Sequence, residues 1–97
     1  MEKRHRWLFN EDKYCCEKYI EYYVLNKSGL KIDMFVELLK AALPEIKKNS
    51  LKMKVSNIKQ ILIELGIDDT LDVKPLKNYS RQNKVAMLKV LSEKGLN

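Results

Sequence analysis

Two adjacent cysteines, Cys15 and Cys16, a single histidine, His5, and the acidic pair Asp68 and Asp69 are the residues whose types suit covalent or metal chemistry. Neighbouring cysteines do not readily bridge each other and the chain has no third, so they read as reduced thiols, one packed in the core and one half-exposed. His5 falls in the N-terminal tail, where nothing is expected to hold it against a nucleophile. The Cys and His residues number three, and a structural zinc site takes four. No Gly-rich phosphate loop is present, and Asp68-Asp69 lie in a segment that reads as loop. The sequence therefore predicts no catalytic residue, no metal, no cofactor and no small-molecule substrate. Tyr14, Tyr19, Tyr22 and Tyr23 offer flat rings for base stacking, but at helical spacing they read first as packing.

A second kind of chemistry, attraction to phosphate, is better supplied. The net charge of the 97 residues is +6. Residues 46–63 hold Lys47, Lys48, Lys52, Lys54 and Lys59, and residues 73–92 hold Lys74, Lys77, Arg81, Lys84 and Lys89; neither window contains an acid. Solvated helix faces normally mix signs to gain i,i+4 pairs. Cations without acids, interspersed with Ser, Asn and Gln, can instead contact phosphates and base edges.

The elements that must position these residues follow from apolar spacing. With 3 Gly and 2 Pro, the supply of turns favours a few long helices. The first helix is predicted over 11–25, with Asn10 as its cap, Trp7, Leu8 and Phe9 as a hydrophobic staple, and Cys16, Tyr19, Ile20, Tyr23 and Val24 on its inner face. The second is predicted over 32–43 on the stripe Ile32, Phe35, Val36, Leu39 and Leu43, ended by Pro44. The third is predicted over 51–65, capped by Asn49 or Ser50 and closed by Gly66. Its stripe is Leu51, Val55, Ile58, Leu62 and Leu65. Lys52, Ser56 and Lys59 gather opposite with Gln60 and Ile63, and Lys54 lies nearer the core side. Residues 67–79 have no helical period and read as an extended connector pinned by Leu71, Val73 and Leu76. Ser80 caps a fourth helix over 81–94. Its apolar arc is wide, and packing by Val85, Leu88 and Leu91 would leave Ala86, Met87 or Val90 partly exposed.

Trp7 followed by Glu11-Asp12 and Cys15 resembles the opening of a Myb/SANT-type repeat, where a tryptophan precedes an acidic pair at the start of the first of three helices. Ala42-Leu43-Pro44, the polar turn through Asn49-Ser50 and the third helix also fall where that family has its second helix, turn and recognition helix. The resemblance covers residues 7–62. It implies a three-helix fold whose third helix enters the DNA major groove, and on that helix fall Ser50, Lys52, Lys54, Ser56, Asn57 and Lys59. Family members that bind proteins also exist.

The sequence thus predicts one all-α domain over 1–97: a helix-turn-helix-like unit of three helices (7–66), a connector (67–79) and a C-terminal helix (80–95). The expected function is DNA binding in a regulatory or targeting role. The third helix would read a groove, and Lys47, Lys48, Arg81 and Lys84 would hold phosphates. The alternative is a protein-interaction adaptor or inhibitor working through the fourth helix, which would also support weak homodimers. No apolar run approaches the length of a membrane span, and no apolar stretch follows the basic N-terminus as in a secretory signal. The expected setting is cytoplasmic.

Overall fold

A computed structural model describes residues 5–96; Lys3 and Arg4, in the basic start of the chain, lie outside them. The fold is all-helical. α1 spans Phe9–Tyr19 and runs on as a π-helical segment, Ile20–Leu25; α2 spans Ile32–Ala42, α3 Lys48–Glu64 and α4 Arg81–Glu93. Among the described residues there is no strand, and no helix is long and apolar enough to cross a membrane.

α1 starts two residues before the predicted position. Its N-cap is Leu8, whose N–H donates to the Glu11 carboxylate at 2.8 Å, so the acid expected in the first turn itself closes the helix start. The π-helical turns widen the helix just where its large rings are needed. Tyr19 and Tyr23 are fully buried against Phe35 of α2, at ring separations of 6.1 and 5.0 Å, with Tyr22 half-buried beside them at 5.6 Å from the same ring. Packing thus accounts for Tyr19, Tyr22 and Tyr23.

α3 begins three residues before its predicted start, with Lys47 at the N-cap and no side chain capping it. Gly66 and Gly95 close α3 and α4 at φ +72° and +69°. Each allows the paired bonds of a Schellman ending, Ile67 N–H to Leu62 O at 2.9 Å and Leu96 N–H to Leu91 O at 2.8 Å. Ser80 caps α4 as predicted, accepting the Asn83 N–H at 3.0 Å.

The inner face of α4 differs from expectation. Ala86, Met87, Val90 and Leu91 are buried, whereas Val85 and Leu88 are 47% and 43% exposed. The reason is Asn83, which is wholly buried and donates to Cys16 Sγ at 3.6 Å. Counting this polar residue completes the stripe 83, 86, 87, 90, 91 that faces α1. Both cysteines are buried beneath it, so the expected half-exposed thiol is absent.

Candidate nucleic-acid interface

The acid-free windows of the sequence are not acid-free in space. Lys48 pairs with Glu37, Lys52 with Asp33 at 3.2 Å, Lys54 with Asp12 at 2.5 Å and Lys59 with Asp69 at 3.0 Å. Four of the five lysines of the first window therefore meet acids supplied by other elements. Lys48 and Lys52 remain solvent-exposed, and exposed pairs of this kind are weak and easily exchanged for a phosphate. Lys47 is also exposed.

The predicted ridge Lys52, Ser56, Lys59 is not an open face. The connector runs along it. Leu76 N–H donates to the Ser56 carbonyl at 3.1 Å, and Lys59 donates to Asp69 Oδ1 and to the Leu71 carbonyl at 3.0 and 2.9 Å. Gln60 is buried and donates to Glu64 at 2.8 Å, and Glu64 also accepts the Tyr79 hydroxyl. That hydroxyl, more than any other neighbour, holds the Glu64 carboxyl below its ordinary range. Lys52 is thus exposed without Lys59, because Leu71 and Leu76 needed the side of α3 on which Lys59 and Ser56 lie.

Lys54 and Asn57, also assigned to the reading helix, point elsewhere. Both are buried, at 5% and 9% exposure, and both line a cleft of about 400 Å³ between the N-terminal halves of α3 and α4. Ser50 lines it from the first turn of α3, Ser80 and Gln82 from the start of α4, and Trp7 from the segment before α1. Lys54 Nζ lies 4.4 Å from the centre of the Trp7 ring. Gln82 Nε2 donates to the Trp7 carbonyl at 2.8 Å and to Asp12 Oδ2 at 2.7 Å. Asp12 is wholly buried under the cleft, balanced by Lys54 and Gln82.

His5 is not loose. Its Nε2 lies 2.8 Å from Glu11 Oε1 and its ring meets Trp7 edge-on at 5.3 Å. Together with Gln82 these contacts fix the segment that carries Trp7 across the cleft.

Two features give this cleft its electrostatic character. α3 and α4 have no acid in their first turns, unlike α1 with Glu11 and Asp12 and α2 with Asp33. The positive ends of two helices therefore open on one cavity with no acid in their own first turns, the carboxylate beneath it being Asp12, paired with Lys54. Arg81, the first residue of α4, is exposed, and among the described residues it has no acidic partner. Lys84 is half-buried and, with Lys77, feels the charge of Glu64.

The second feature is Asn57 Oδ1, which is buried and accepts no hydrogen bond. Most buried acceptors are satisfied, so an orphan in the wall of a cleft calls for an explanation.

Sequence reasoning placed Trp7 and Asp12 at the start of α1 without joining them to α3. The signal that could have done so was the position of Lys54 on the core side of α3, where a lysine needs a buried partner.

Among the described residues no group of three or more His, Cys, Asp or Glu is placed to hold a metal ion. No protein-family model, no curated protein and no solved structure matches the chain.

Proposed function

We propose that the chain binds nucleic acid through the surface around the α3–α4 cleft. The observation that carries this reading is that the starts of α3 and α4, with no acid in their first turns, open on one cleft, with Arg81 exposed at the start of α4. Helix N-termini present N–H groups and positive potential to phosphate oxygens. Lys47, Lys48, Lys52, Arg81 and Lys84 extend that potential along a backbone, and Ser50 and Ser80 add short donors. In this reading the contact surface lies at the first turns of α3 and not along its outer ridge. Ser56 and Lys59 take no part in it.

The test is binding of a labelled DNA duplex followed over a salt series. Affinity should fall linearly on logarithmic axes, and Arg81→Ala or Lys52→Ala should each reduce the slope by about one. Binding that does not depend on salt, or none at low salt, refutes the proposal.

A second reading rests on Val85 and Leu88, exposed one turn apart on α4. Such a pair suits a protein partner or a second copy of the chain. Leu88→Glu should abolish an association of that kind while leaving the fold and DNA binding intact.

A further inference from the structure

We propose that two copies of the chain pair antiparallel through the outer face of α2, about a twofold axis beside Leu38. The inference is independent of the nucleic-acid reading, and none of the residues assigned to that contact takes part in it.

α2 is covered on one side only. Phe35, Val36 and Leu39 face the core, while Met34 and Leu38 on the far side are 58% and 45% exposed. Ala41 and Ala42 are exposed at the end of the same helix. A surface helix ordinarily turns polar residues outward. Here Lys31, Met34, Leu38, Ala41 and Glu45 recur at spacings of three and four, the last of them in the turn just past the helix. An apolar stripe therefore lies between a cation and an acid, at the spacing by which two helices interlock. Leu38 also walls a depression of about 140 Å³ that Tyr14 of α1 and Tyr22 of the π-helical segment line as well, both half-buried. Exposed apolar surface of this kind marks an interaction site.

The charges of α2 indicate what covers it. Asp33 and Glu37 are engaged by Lys52 and Lys48 of α3, and Lys40 donates to the carbonyls of Pro44 and Ile46. Lys31 and Glu45 are exposed, and their side chains have no partner among the described residues. Lys31 stands seven residues before Leu38 and Glu45 seven after it. An antiparallel pairing with Leu38 against its own copy thus sets Lys31 of each chain against Glu45 of the other, twice. It also lays each Met34 on the small side chains of Ala41 and Ala42. The face carries its own complement. The exposed pair on α4 does not: Lys84 and Lys89 flank Val85 and Leu88 in an acid-free stretch, so a second copy would bring like charges together. An interface one helix wide belongs to the small, reversible class of protein contacts.

The oligomeric state is measured by sedimentation equilibrium from about 10 μM to about 1 mM. The parent should shift reversibly from monomer toward dimer across that range. Leu38→Glu puts two acids on the axis and should weaken association at least tenfold, whereas Leu88→Glu should leave it unchanged. Lys31→Glu and Glu45→Lys each set like charges together and should weaken it about three- to tenfold; the variant carrying both should regain most of the loss. Both substitutions suit the dipole of α2, with an acid at its start and a cation past its end, so neither should lower the melting temperature. Leu38→Cys supplies a second readout. A residue on the axis faces its own copy, so mild oxidation should give a covalent dimer, while the parent, whose Cys15 and Cys16 are buried, should give none. A parent that stays monomeric at about 1 mM overturns the pairing. So does a dimer that Leu88→Glu dissolves and Leu38→Glu does not, or a double charge variant no better than the single ones.

Discussion

Lys54→Met is the perturbation whose effect the structure fixes most closely. The ammonium of Lys54 is 5% exposed and sits 2.5 Å from a carboxylate oxygen of Asp12, which has no exposed surface. Methionine fills the same space and keeps the apolar contact with Trp7, so little packing is lost. What remains is a buried carboxylate whose other oxygen is held only by Gln82. Breaking one side of a buried pair costs about 3–5 kcal/mol, against about 5–15 kcal/mol for the whole domain. At about 4–8 °C per kcal/mol for a domain of this size, the melting temperature should fall by about 12–40 °C. Asp12→Asn added to Lys54→Met removes the stranded charge, so the double variant should melt closer to the parent than Lys54→Met does. Thermal melting followed by circular dichroism on the four proteins of this cycle gives the coupling. A Lys54→Met protein melting within about 2 °C of the parent, or a double variant no more stable than Lys54→Met, would refute the buried pair as the organiser of the cleft.

Other expectations follow from single contacts. Lys59→Met should destabilise by about 1.5–3 kcal/mol in a urea melt, since it removes a charged partner from Asp69, whose side chain is 2% exposed; an unchanged midpoint would show that the connector is not held there. Burial pushes the Glu11 carboxyl up, but the Leu8 N–H and His5 together outweigh it and leave the group below its ordinary value of 4.5. Its stabilising share is therefore present above that value and disappears as pH falls through the depressed folded-state value, so Glu11→Gln should flatten the acid limb of a stability–pH curve. Burial pushes the Cys15 thiol up to about 12 and the Cys16 thiol well above its usual range. Both should resist alkylation at neutral pH until denaturant is added, and one fast-reacting thiol in the native protein would contradict their burial.

The helices were legible because their stripes are apolar and regular. Leu51, Val55, Ile58 and Leu62 all face inward as their spacing requires, and Ser80 and Gly66 sit at the predicted ends. The fourth helix was rotated in the reading because its inner face includes a polar member, Asn83, which hydropathy assigns to the surface. The ridge expected to be open is partly covered for a related reason. A wheel drawn for α3 shows which side avoids the core stripe but not what else will lie on it. The connector, with Leu71 buried and Leu76 half-buried, occupies that side and takes Ser56 and Lys59 with it. Lys54 and Asn57, at the edge of the wheel, became walls of a cleft that exists only once α4 and the Trp7 segment arrive.

The connector also has a kinetic meaning. Thr70 N–H reaches the Tyr23 carbonyl, the Thr70 hydroxyl reaches the Ser28 carbonyl, and Asp69 accepts from both Tyr19 and Lys59. The bonds to Tyr19, Tyr23 and Ser28 join residues far apart in the chain, so loop closure must precede them. Residues 67–79 should thus settle late during folding and lift off early under native conditions. Their amide protons should exchange with solvent faster than those of α1 and α3. Each such opening uncovers, for the lifetime of the excursion, Ser56 and Lys59 beside the already exposed Lys52.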